Sequence, residues 1–455
     1  MKLLYILCTF FLFNTDPSGF KFEIPEGAKL ESTFSSKIAD NTTIHQAIVK
    51  NKKQGTYDFL TFVKDPSGEI ITYPTLQFEK EADVLSIHNG KNGTVVQTFY
   101  SDGKIEVVTY SNTEILSREA AEINEKPRSI FQGDEKTVIA YYNSRKGKHQ
   151  IENYTISGDG SITFKETKIN RIDQKKYKTM FNEGIDIVNL KEYVKNGSIN
   201  DVQGYMINDD VLIVEDKKAD DRIYLLRFDS NGELKKEMVG VKSLENARNS
   251  NTFVTDDRIF NVSASKEDVL MQVLDRNSKR SLKTISLNKE IREVARDVGN
   301  IDQLLKGARK KVNAPTVSVN ATGGGDVEVT LDYVNRNTYR YQHWDWFQQH
   351  MMMQQMMMMN RMNGFGPSAS FNEGFYIAGK GAPVKFVLTA DFTLKQASRD
   401  LKTIFPNIDK QTEVELMDKD KNVKELSVVF VDSTMHYIHA DKSKQTVYIK
   451  SKQID

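Results

Sequence analysis

The stretch Arg222–Val239 reads RIYLLRFDSNGELKKEMV. Ile223, Tyr224, Leu225, Leu226 and Phe228 form a β-branched and aromatic run. The run breaks at Asp229-Ser230-Asn231-Gly232 and resumes with Leu234 and Met238-Val239. Residues that favour extended backbone, a break rich in residues that tolerate positive φ, and a second extended run together predict a β-hairpin around an Asn-Gly turn. The same phrase returns at Leu60–Tyr73 around Ser67-Gly68, Glu106–Ser117 around Asn112, Ile151–Thr167 around Gly158-Asp159-Gly160, and Leu270–Leu287 around Asn277-Ser278. Weaker versions lie at Phe386–Ala397 and Met435–Lys450. Hairpins recurring about every 45 residues, each with strand patterns on either side, predict an all-β repeat architecture of small four-stranded sheets.

Seven such units can be traced, with a helical insertion at about 170–204 and further insertions at about 288–320 and 339–372. Within Asn288–Val312 the apolar positions Ile291, Val294, Ala295, Val298, Ile301, Leu304, Leu305 and Ala308 step at three and four. That spacing predicts an amphipathic helix, with Asn288 as its cap and Arg309-Lys310-Lys311 at its negative end. Leu305 is expected to face the rest of the protein or a partner. A ring of sheets must close on itself, and Phe20–Ile24 or Thr43–Lys50 are the candidates to pair with Thr446–Lys450.

In period and strand count these repeats resemble the β-propeller proteins, and the resemblance spans most of residues 40–455. It implies a β-propeller of about seven blades, residues 20–455 forming one domain. There is no Gly-His to Trp-Asp pairing of the WD40 kind. Ser157–Phe164, SGDGSITF, resembles the Asp-box turn of sialidase-type propellers, but with Ser161 at the second glycine position and Phe164 at the tryptophan. Such a turn would imply fold and not activity.

The 63 Lys and Arg against 62 Asp and Glu leave a formal charge of +1, which argues against a nucleic-acid binder. A mean hydropathy of −0.51 excludes a polytopic membrane protein. Met1-Lys2 followed by the apolar run Leu3–Phe13 matches a secretory signal peptide over about residues 1–19 and is too short for a membrane span. Export to the periplasm or the extracellular space of a bacterium is expected, with association with the outer membrane allowed. The single cysteine, Cys8, lies inside the apolar run, so the exported chain would carry no disulfide.

Residues 339–367, YRYQHWDWFQQHMMMQQMMMMNRMNGFGP, hold both tryptophans and a run of methionines. Thioethers and imidazoles suit Cu(I), which makes His343, His350, Met351, Met353 and Met356 the copper candidates. Met side chains also make an adaptable apolar surface, which makes Trp344, Trp346, Met352, Met357 and Met358, together with Leu305, the candidate contacts of a protein partner. The second reading is preferred, because the methionines outnumber the donors one ion can use. His436 and His439 are three apart in a predicted strand and so point to opposite faces. Asp418, Asp420 and Asn422 resemble the start of a calcium loop but lack its glycine. No GxSxG, HExxH, phosphate-loop or cysteine-nucleophile motif is present. The expected function is therefore non-enzymatic: an exported binding or scaffold protein of the bacterial envelope, without cofactor, whose partner is a protein or an envelope complex. The alternatives are a glycan-acting hydrolase or lyase on the same fold, and a copper-binding protein.

Overall fold

The computed structural model describes residues 19–335 and 383–454, apart from 40, 124–125, 184, 196, 198–201, 217–220, 230–231, 246, 248, 266, 296–297, 309, 311–312, 399 and 409. The Met-rich stretch, with His343, Trp344, Trp346, His350, Met351, Met352, Met353, Met356, Met357 and Met358, lies outside the described residues. Among the described residues the chain forms seven sheets of four or five strands, antiparallel but for one short parallel pair. It is an all-β propeller of about seven blades.

The blades fall into two compact units. The larger, Ala82–Ser111 with Ile115–Asn407, holds the second to sixth sheets. In each, the first strand lies at one edge and the last at the other, and in the second, third and fifth sheets every step is antiparallel and made by a short turn. The second sheet runs from Asp83–Asn89 to Ile115–Glu122, the third from Ser129–Gln132 to Ile162–Lys168, and the fifth from Asn249–Val254 to Ser281–Ser286. Last strands are exposed and charged. Ile115–Glu122 is exposed at nearly every position, and Ile162–Lys168 and Leu234–Gly240 carry Lys165, Lys168, Lys235 and Lys236. Such charges protect a sheet edge from pairing with other chains.

The sixth sheet corrects the sequence reading. Its first strand is Asn313–Gly323, which overlaps the end of the expected 288–320 insertion, and it continues through Asp326–Asn335, Val384–Leu388 and Leu394–Gln396. Pro315 lies within that first strand, and Asn313–Gly323 is an edge strand, where a missing N–H is tolerated. The expected helix is also two pieces. Ser286, not Asn288, is the cap: its Oγ accepts from Lys289 N–H at 3.2 Å while Glu290 Oε2 accepts from Ser286 N–H at 2.9 Å. After Ala295 turns extended, a second helix spans Val298–Ala308. The break re-phases that helix, so Val298, in line with Ile291 on a continuous helix, ends 42% exposed. Ile291, Ile301, Leu304 and Leu305 are buried in the core shared by the fourth, fifth and sixth sheets. Leu305 therefore packs on its own propeller and is withdrawn from any partner surface.

The smaller unit comprises the described residues of Met1–Glu81, Asn112–Glu114 and Ile408–Asp455 and holds the first and seventh sheets. In the seventh, Lys424–Val431, Thr434–Ala440 and Thr446–Gln453 are completed by Phe20–Glu23, which pairs antiparallel with Thr446–Ile449. Strands from the two ends of the chain thus share one blade, the closure expected of a propeller. Phe22 is buried there, its ring 4.5 Å from that of Phe62.

Candidate functional site

The candidate site is a cleft of about 360 Å3 in the larger unit, over the sixth sheet. It arises from the alternation of side chains along two strands. Val317, Val319, Val329, Leu331, Val384 and Phe386 point to one face and join the core. The other face carries Thr316, Ser318 and Asn320, paired in register with Asp332, Thr330 and Glu328, and Lys385 opposite Thr330. A sheet with one apolar and one polar face is common at a surface, but here both are covered: Thr316, Ser318, Asn320, Glu328, Thr330 and Asp332 are all buried.

Part of the cover is the insertion after the third sheet. Helix Gln174–Glu183 packs Tyr177, Met180 and Phe181 into the core shared by the third and fourth sheets. Asp186–Val188 then adds a strand parallel to Val202–Ile207, on the edge that strand would otherwise leave open. Lys191 pairs with Asp134 in a turn of the third sheet. Beyond it the chain reaches the sixth sheet, where the Asn320 amide clamps the Val194 backbone: Val194 N–H donates to Oδ1 at 2.7 Å and Nδ2 donates to Val194 O at 3.0 Å. At Gly197 a Cβ would fall inside the Val317 backbone, so only glycine allows the approach. The inserted segment is thus a strap lying on the edge strands of two sheets.

The strap carries Tyr193 into the cleft. Its phenol donates to Glu328 Oε1 at 2.7 Å, and Lys385 Nζ donates to the Tyr193 oxygen at 2.8 Å and to Glu328 Oε1 at 3.2 Å. Burial, together with the Glu328 carboxylate, pushes the Tyr193 phenol far above its ordinary pKa, so it is neutral at any physiological pH. Asn300, at the start of the Val298–Ala308 helix, donates to Pro383 O at 3.1 Å, and Ala295, Val384, Leu401 and Thr403 complete the walls. Along the same strand as Glu328, Asp332 is buried with one N–H donor, that of Tyr333 at 2.7 Å, and burial raises its carboxyl to about 6. None of Tyr193, Glu328, Asp332 or Lys385 was singled out by the sequence. The alternation of residues 326–333 carried the signal, but Glu328 and Lys385 are 57 residues apart and Tyr193 is further still.

The other features noted in the sequence are structural. Asp159 of the Asp-box-like stretch accepts from Ser161 N–H and Oγ, and its pairing with Lys91 at 2.9 Å ties the turn to the second sheet. His436 Nδ1 meets Ser451 Oγ at 2.8 Å, while His439 stacks on Tyr437 and Tyr448 on the opposite face of the strand. Asp420 Oδ1 accepts from Asn422 N–H in a plain turn. Among the described residues no group of three or more His, Cys, Asp or Glu side chains could hold a metal. No described helix is long and apolar enough to cross a membrane.

No protein-family profile matches the chain, and no curated protein matches its sequence. Among solved structures it is similar to a protein from Lactobacillus plantarum, with 11% identity over 94% of this chain and 96% of that one and a TM-score of 0.31. It is also similar to a mutant of the Synechocystis apocarotenoid oxygenase, with 10% identity over 58% of this chain and a TM-score of 0.28. A third is the Pyrococcus horikoshii acylaminoacyl peptidase, with 10% identity over 67% of this chain and a TM-score of 0.30. The chain spans 63% of the oxygenase and 43% of the peptidase.

Proposed function

We propose that the protein is an exported, non-enzymatic binding protein of the bacterial envelope, and that the cleft over the sixth sheet seats a polypeptide partner. One observation carries the reading. The three ionisable groups that line the cleft are spent on one another, and Asp332 lies outside its lining: Lys385 and the Tyr193 phenol both donate to Glu328 Oε1, and the phenol is held neutral. A general base or nucleophile needs a pKa near the working pH and an unengaged lone pair. A neutralised floor under walls that mix Ala295 and Leu401 with Asn300 and Thr403 suits holding over proton transfer.

The test is recovery of partners, after cross-linking, from native envelopes with the wild-type protein and with Leu401→Glu, which places a charge on the half-buried wall of the cleft. Recovery should be lost in the variant while its circular dichroism and melting stay unchanged. Equal recovery would remove the cleft as the seat. Hydrolysis or elimination of an oligosaccharide panel by the wild type, abolished in Glu328→Gln, would overturn the non-enzymatic reading in favour of the glycan-acting one.

A further inference from the structure

A second surface of the larger unit, away from the cleft residues, carries an exposed apolar pair within a field of cations. Residues 165–178 hold Lys165, Lys168, Arg171, Lys175, Lys176 and Lys178 against the two carboxylates Glu166 and Asp173. Helix Gln174–Glu183 explains which of them face out. Tyr177, Met180 and Phe181 are buried at helical spacing, so Lys175 and Lys178 are turned to solvent. Ile172, in the turn before the helix, is 95% exposed.

The outer strand Leu234–Gly240 of the fourth sheet lies beside this turn. Lys236 Nζ reaches Asp173 Oδ2 at 3.3 Å and sits 4.6 Å from the Tyr177 ring centre. Met238 follows two residues on, therefore on the same face as Lys236, and is 63% exposed. Lys176 spans the other side, pairing with Glu215 and lying 4.6 Å from the ring centre of Tyr224, the cross-strand neighbour of Met238. Asp173 and Glu215 are each answered by a lysine. Among the described residues no carboxylate lies within ion-pair distance of Arg171, Lys175 or Lys178.

We propose that this face docks on an anionic lipid surface, with Ile172 and Met238 entering the headgroup boundary and Arg171, Lys175 and Lys178 meeting the phosphates. A large aliphatic side chain left fully in water gains by leaving it. Uncompensated cations around it select a negatively charged apolar boundary, in which both groups are satisfied together.

The test is co-sedimentation of the full chain with vesicles of phosphatidylcholine alone and of phosphatidylcholine with phosphatidylglycerol, at low and high salt. Ile172→Asp, Met238→Asp and the pair Lys175→Glu, Lys178→Glu are compared with the wild type. These are exposed positions, so folding is preserved, and the apolar run Leu3–Phe13 is common to all, so differences report the patch. Binding should require phosphatidylglycerol, weaken with salt, and fall about tenfold or more in Ile172→Asp and in the double charge reversal. Binding unchanged in Ile172→Asp, a loss in Ile172→Asp that is the same on neutral vesicles, or no vesicle binding alongside capture of an acidic protein by the same cations would each overturn the proposal.

Discussion

Asp332 shows how one residue can set a pH response. Its folded-state pKa of about 6 stands above the ordinary value of 3.8, because its carboxyl is buried with a single backbone donor. Between those two values the folded protein keeps a proton that the unfolded chain has released. The contribution to stability is therefore complete below about pH 4 and is lost as the pH rises through 6. Asp332→Asn cannot ionise and should escape that loss. Its stability relative to the wild type should rise between pH 4.5 and 7.5 by about 2 kcal/mol, since only the part of the shift from 3.8 to about 6 that lies above pH 4.5 falls in that window. Urea unfolding of both proteins at the two pH values measures the difference, and parallel pH profiles would show that the carboxylate is solvated.

At the scale of elements, four of the seven hairpins that repeat along the sequence share one kind of turn. In Asp65–Glu69, Asp229–Glu233, Thr389–Thr393 and Asp441–Gln445 the first residue's side chain accepts the N–H four positions on, at 2.9 to 3.1 Å. The fourth residue of each has positive φ: Gly68 at 92°, Gly232 at 75°, Phe392 at 64° and Lys444 at 58°. At the turn expected around Gly232, Asp229 Oδ1 accepts from Glu233 N–H, while Asn231 lies outside the described residues. A methyl at Gly68 would meet only Lys64 Cε at 3.9 Å, an ordinary contact, so Gly68→Ala isolates the backbone term and should cost about 1–2 kcal/mol in chemical denaturation. An alanine tolerated there without loss would mean that the loop relaxes out of the left-handed region. Gly197→Ala is a steric case: the new methyl cannot share space with the Val317 backbone. It should release the strap and with it Tyr193, so protease cleavage between residues 189 and 201 should appear while the sheets stay intact by circular dichroism. Resistance equal to the wild type would show that the strap is held elsewhere.

At the scale of the molecule, the strand Phe20–Glu23 matters beyond its four residues. It covers the edge of Thr446–Gln453, and Phe22 fills the core formed with Phe62, Val447 and Ile449. Phe22→Ala should cost about 3–5 kcal/mol, as large-to-small changes at buried phenylalanines do. Deleting Phe20–Glu23 should in addition leave an unpaired strand edge and produce concentration-dependent oligomers by light scattering, which Phe22→Ala should not. A monomeric deletion would mean that another segment covers that edge.

The sequence by itself determined the local structure. Strand periodicity, turn residues and a spacing near 45 residues specify small antiparallel sheets, because side-chain alternation and positive-φ turns act over a few residues. They predict about seven sheets, and the described residues form seven. The pairing of Phe20–Glu23 with the last strand was legible as one of two candidates, since closure of a ring restricts which ends can meet. Two elements were misread for physical reasons. The edge strand Asn313–Gly323 fell within the expected insertion, because its pairing with Asp326–Asn335 is a tertiary contact, and a continuous apolar stripe concealed the break at Ala295 that re-phases the helix. The cleft was beyond reach of the sequence. Tyr193 meets Glu328 and Lys385 because Asn320 clamps the strap's backbone and Gly197 lets it approach. No periodicity records such contacts between distant segments, so the tertiary structure alone decided where the site lies.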